Sequence, residues 1–152
     1  MKESDITERI KELAREIAKY WRMEIYVGTW VCYVDVNGGR IIDIAVSVVP
    51  DEKDSDGVAF WVNNGYSNDE MDGYFGIPSI EDCLEKLRGL GAIFRLSYQK
   101  DLMKKNMEIT DYFDGEHTVK EIFFRGYWFL NNPHEALLSA LLEVVKGESQ
   151  DG

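Results

Sequence analysis

Apolar and polar positions alternate most regularly between Trp30 and Val49, where two β-rich runs flank the turn cluster Asn37-Gly38-Gly39. That is the pattern of a β-hairpin. A two-residue loop would put Trp30, Cys32, Val34 and Val36 on one face with Ile41, Asp43, Ala45 and Ser47. A three-residue loop pairs Val36 with Arg40 and sets Ile42, Ile44, Val46 and Val48 beside them instead. One face is then wholly apolar, and the other carries Tyr33, Asp35, Asp43 and Ser47. A slip of one residue turns every side chain over, so the pattern selects the three-residue loop. Gly39 is expected at its left-handed position, and Trp30 on the buried face.

The period changes to that of a helix at three places. Residues 5–22 carry Ile6, Ile10, Leu13, Ala14, Ile17 and Trp21 on one stripe, and Asp5 and Glu8 have capping-box spacing. Residues 80–90 follow Ser79 as N-cap, with Ile80, Cys83, Leu84, Leu87 and Leu90 as the apolar stripe. The last helix starts at Asn132-Pro133-His134-Glu135, presents Leu137, Leu138, Leu141, Leu142, Val144 and Val145, and is closed by Gly147. Further strands are expected at 58–62, 92–98 and 118–130. Gly28 marks a bulge or bend, and Pro50 ends the second strand for want of an N–H.

The resulting order is α-β-β-β-α-β-β-α. It predicts an α+β fold: a single domain over 1–147 with one mixed or antiparallel sheet of about five strands, three helices packed on it, and 148–152 as a frayed tail. Residues 51–57 form an acidic loop. Residues 63–77 and 99–117 read as irregular. The former mixes Asn, Gly and Asp with Tyr66, Tyr74 and Phe75, and long loops in compact domains commonly carry function.

Composition sharpens this picture in a few respects. The chain has 152 residues, 45% of them hydrophobic and 12% aromatic, which suffices for a packed core and argues against disorder. Its net charge of −11 opposes direct binding to nucleic acid or to an anionic membrane surface. The aromatic run 122–129 therefore reads as a core strand and not a base-stacking platform, Arg125 being its only cation. Cys32 and Cys83 sit on apolar stripes and are expected unpaired and buried. No apolar run approaches 18 residues and no signal region opens the chain, so a cytoplasmic protein without a membrane span is expected.

Chemical motifs are sparse. Glu52, Asp54, Asp56 and Gly57 fall at positions 1, 3, 5 and 6 of a calcium loop, but position 12 is Asn63 where a bidentate Glu is required. His117 and His134 lack further ligands at metal-site spacing. There is no P-loop or dinucleotide fingerprint. No catalytic residue, metal or cofactor is assigned.

Several features together resemble a known family. An N-terminal helix ends in an aromatic and leads to a Trp-bearing strand. Pro78-Ser79 opens a helix with the run Glu85-Lys86-Leu87, and after an aromatic strand Asn132-Pro133 with Ala136 leads a Leu/Ala helix. This is similar to the phage-type "ABA sandwich" domain, from which the chain departs at 51–76 and 99–117. The resemblance implies a phage-encoded cytosolic protein, and it carries no catalytic residues over.

The functional expectation rests on residues 51–72. Asp51, Glu52, Asp54, Asp56, Asp69, Glu70 and Asp72 stand against Lys53 alone, a net of six negative charges. With Tyr66 and Tyr74 as anchors, they are expected to engage a basic protein partner, either a nucleic-acid-binding host protein, as a host-defence inhibitor would, or a toxin, as an immunity protein would. The alternative is a small enzyme with a pocket under the 63–77 loop, lined by Tyr66, Tyr74 and Phe75.

Overall fold

The computed structural model describes residues 1–34, 37–54, 56–99, 104–113, 118–124 and 132–151. Side chains are described for 1–34, 37–54, 56–91 and 132–147. The chain divides into two compact units, Met1–Pro78 and Ser79–Gly152.

The first unit opens with helix α1, Glu8–Ala18. Its N-cap is Thr7, whose hydroxyl accepts from the Ile10 N–H at 3.1 Å. Asp5 instead caps a short 3-10 turn, accepting from the Lys2 N–H. The helix therefore starts two residues later than the Asp5 capping box implied. Its buried residues are Ile10, Leu13, Ala14 and Ile17, as the helical stripe predicts.

Four strands follow: β1 (Trp30–Val34), β2 (Arg40–Pro50), β3 (Val58–Val62) and β4 (Tyr74–Ile77). They form one antiparallel sheet in the order β3-β2-β1-β4. In the β1–β2 hairpin, Trp30 lies opposite Ile44, Cys32 opposite Ile42, and Val34 opposite Arg40. The faces are shared as the sequence pattern requires, but the register is two residues wider than the three-residue loop. The left-handed glycine is Gly38, at φ +82°, and not Gly39. Asp35 and Val36 lie outside the described residues.

The central core lies on the opposite face from the one expected. Val31, Tyr33, Ala45, Phe60 and Val62 are all at most 2% exposed and cluster with Ile25. A bulge in β2 brings Val48 onto that face as well. Ala45 pairs with Val62 but Ser47 pairs with Trp61, which leaves Val46 as an extra residue. The alternation is reset there, so Val48 returns to the core face opposite Phe60 while Val46 points outward, 47% exposed. Both sheet faces are covered in part. Residues of α1 line a cavity with Cys32, Ile42 and Phe75 on one face. On the other face, the segment after α1 crosses β4 at Gly76, where an added Cβ would lie 2.9 Å from Ile25 and 3.0 Å from Met23. Trp30 is half-buried, its indole N–H donating to the Met1 carbonyl at 3.2 Å.

The second unit contains α2 (Ile80–Gly89), capped by Ser79 and Asp82 in a reciprocal box. Three strands follow, β5 (Ala92–Gln99), β6 (Lys104–Phe113) and β7 (Thr118–Phe124), in an antiparallel meander. The unit ends with α3 (Pro133–Asp151), where the Asn132 side chain accepts from the Glu135 N–H. The helix passes through Gly147, the expected stop, and takes in most of the expected frayed tail.

The fold class is α+β, as expected. The single five-strand sheet is replaced by two antiparallel sheets of four and three strands. The added strands are β4 and β6, both in stretches read as irregular. Residues 125–130 of the expected strand 118–130 lie outside the described residues, as does His117. Cys32 and Cys83 are free and buried.

Candidate functional site

Two of the seven acids of 51–72 build their own loop. The Asp51 N–H donates to the Gly57 carbonyl at 2.9 Å, and Gly57 takes φ +75° to close the turn. The Asp51 carboxylate accepts from the Lys53 N–H at 3.0 Å, and that of Asp54 from the Asp56 N–H at 2.8 Å. Such side-chain-to-backbone bonds hold a loop in one shape without helix or ladder.

Asn68 ties this loop to the short 3-10 turn Asn68–Glu70. Its side chain, 5% exposed, donates to the second oxygen of Asp54 at 2.8 Å and to the Val58 carbonyl at 3.1 Å. Its own carbonyl accepts from the buried Phe60 N–H at 3.1 Å. Ser67 and Glu70 close the turn with a reciprocal capping box.

Asp56 is engaged through one oxygen. The Tyr74 hydroxyl donates to it, and the Arg22 guanidinium pairs with the same oxygen at 3.1 Å. Arg22 also sits over the Tyr74 ring, 5.3 Å from its centroid, and the ring meets Phe60 edge-on at 5.0 Å. Burial first, and then the Asp56 carboxylate, push the Tyr74 phenol far above its ordinary value. It is a proton-bearing donor at neutral pH. Asp54 and Asp56 are thus structural groups and not free charges, and Tyr74 is not a free anchor. Tyr66 is half-buried against the core, its ring 6.4 Å from that of Tyr33. Both expected anchors thus also pack within the fold.

Four acids are exposed: Glu52, Asp69, Glu70 and Asp72. Asp54 and Asn68 join the loop of Glu52 to the 3-10 turn of Asp69 and Glu70, and Asp72 follows that turn by two residues; together these four make an acidic ridge. The aromatic beside that ridge is Trp61, 39% exposed. It bridges to Ser67, immediately before the 3-10 turn, and pairs with Ser47 on the outer face of edge strand β3. Val49, 43% exposed, is its diagonal neighbour on that face. The alternation of Phe60, Trp61 and Val62 signals an outward Trp61 once Phe60 is known to be core.

No family model, curated protein or solved structure matches the chain.

The other expected chemistry is placed as follows. Tyr74 and Phe75 border a cleft of about 10 Å³ with Trp21, Arg22 and Asp56, which is room for a single water, and Tyr66 does not line it. The calcium-loop spacing is not realised, since Asp54 and Asp56 spend their oxygens on Asn68, Arg22, Tyr74 and a backbone N–H. Among the described residues, no three His, Cys, Asp or Glu side chains are grouped to hold a metal. His134 is buried in the first turn of α3. Among the described residues, no helix is long and apolar enough to cross a membrane.

Proposed function

We propose that this chain is a non-enzymatic binding module that presses an acidic ridge onto a basic surface of a protein partner. The observation that supports this most is the union of the exposed acids Glu52, Asp69, Glu70 and Asp72 with the exposed Trp61 on one hydrogen-bonded framework. Charge of this kind accelerates encounter and selects a basic partner, while a solvent-facing tryptophan supplies the area that charge lacks. Pre-ordering by Asn68 lowers the entropy cost of docking. The resemblance to phage-type domains favours a host-defence protein as the partner; an immunity protein presenting the same ridge to a toxin is the second setting.

The test captures partners in parallel on the native protein, on a variant with Glu52→Gln, Asp69→Asn, Glu70→Gln and Asp72→Asn together, and on Trp61→Ala. The reading requires a basic protein held by the native chain and lost from both variants. Its association rate with the native chain should fall by at least about tenfold as salt is raised from low to physiological ionic strength. Retention of the same protein by the charge-neutralised variant refutes the reading.

A further inference from the structure

A cavity of about 370 Å³ lies in the first unit between α1 and the sheet, at the lower end of the about 300–1,000 Å³ range of small-molecule sites. Three cations line it: Lys11 and Arg15 from α1, and Arg40 from the first position of β2. Cys32, Ile42 and Phe75 line its sheet side. A shallower hollow continues from it, sharing Lys11, Arg40, Ile41 and Ile42 and adding Lys2 together with Glu3. On a chain of net charge −11, this concentration of positive charge at one concavity is opposite to the overall balance.

The pairing of charges leaves two of those cations unspent. The acids that line the cavity are Glu8 and Glu12. Glu8 binds Lys11 at 2.8 Å, and Glu12 binds Arg9, which does not line the cavity, at 3.5 Å. Among the described residues, the side chains of Arg15 and Arg40 make no hydrogen bond or ion pair. A guanidinium fork fits a carboxylate or phosphate in two-point fashion, and two forks at one apolar-floored cavity define a head-group site. The Cys32 thiol contributes bulk and not nucleophilicity. Burial raises its pKa above the ordinary value, only partly offset by the pull of Lys11, Arg40 and Arg15.

We propose that this cavity binds a small organic anion, its oxyanion head held between Arg15 and Arg40 and its apolar body resting on Ile42 and Phe75. The site is separate from the acidic ridge, so the two readings stand or fall independently.

The experiment titrates the isotope-labelled full chain with phenyl phosphate, inorganic phosphate and benzyl alcohol, following backbone amide resonances. Phenyl phosphate should give saturable shifts at Lys11, Arg15, Phe75 and Arg40 to Ile42, and should bind more tightly than either fragment probe. Arg15→Gln and Arg40→Gln should each weaken it by about tenfold. Both side chains are exposed, and an unchanged circular dichroism spectrum checks that the fold survives. Glu8→Gln releases Lys11 and should tighten binding. The proposal is overturned if no saturable shift arises at these residues by about 10 mM ligand, a bound set by the weakest useful affinities. It is equally overturned if benzyl alcohol binds as well, or if both arginine variants retain native affinity.

Discussion

Replacing Asn68 by Ala removes three hydrogen bonds from a side chain that is 5% exposed. The Phe60 N–H, on a residue with no exposure, loses its acceptor, at a cost of about 1–3 kcal/mol for an orphaned buried donor. Asp54 loses a charge-assisted bond worth about 1.5–3 kcal/mol, part of which water restores because that carboxylate is half-buried. The Val58 carbonyl loses a lesser bond at 3.1 Å. The total is about 3 kcal/mol, a large share of the about 5–15 kcal/mol that holds a domain together. With a urea slope of about 1.5 kcal/mol per molar, the unfolding midpoint should fall by about 2 M. Tryptophan fluorescence follows the transition, and hydrogen exchange at the Phe60 amide localises the loss. Asn68→Asp is the sharper companion. It keeps the acceptor for Phe60 but sets a second carboxylate against Asp54, so one proton is held above the usual carboxylate range in the folded state. Stability from that shared proton is present below about pH 4 and lost as pH rises through the raised value. The variant should therefore approach the native protein in acid and fall behind it toward neutrality. A loss below about 0.5 kcal/mol for Asn68→Ala, or unaltered protection at Phe60, refutes the bracing role.

Two further outcomes follow from the same unit. The Tyr74 phenol is raised above its ordinary 10.0, so stability it confers is present below that pH and lost as pH climbs through the raised value; Asp56→Asn should lower the phenol toward its ordinary value in an absorbance titration. Trp30→Ala should destabilise by about 2 kcal/mol or more, while Trp61→Ala, at 39% exposure, should cost under about 1 kcal/mol in denaturant unfolding; equal midpoints count against the assigned faces.

The helices were legible because their stripes are long and regular: Ile10, Leu13, Ala14 and Ile17 are buried as the period demands. Strand β3 is observed at Val58–Val62, the bounds the pattern predicts. The place of Val48 on the core face was not legible, because alternation continues through Val46 in the sequence while the bulge resets it in space. Strand β4 is four residues long and contains Gly76, whose missing side chain serves the packing of Ile25 and Met23. Strand β6 carries Lys104, Lys105, Asn106, Glu108, Thr110 and Asp111, too polar for a period-two signal to stand out. The acidic loop was legible as charge, but the duties of its members depend on distant partners. Asp54 meets Asn68 across 14 positions and Asp56 meets Arg22 across 34, and no local spacing encodes either.

The bulge at Val46 also bears on which changes of chain length this sheet can absorb. Deleting one residue from a strand ordinarily throws everything beyond it out of phase. Here Val46 is the supernumerary residue, and removing it would leave Ala45, Ser47 and Val48 alternating without interruption against Val62, Trp61 and Phe60. The faces beyond the excision would stay as they are. An insertion fixed in the lineage at this position, or its later loss, would pass through the fold as a silent edit, whereas the same event at Ile44 or Val48 would not.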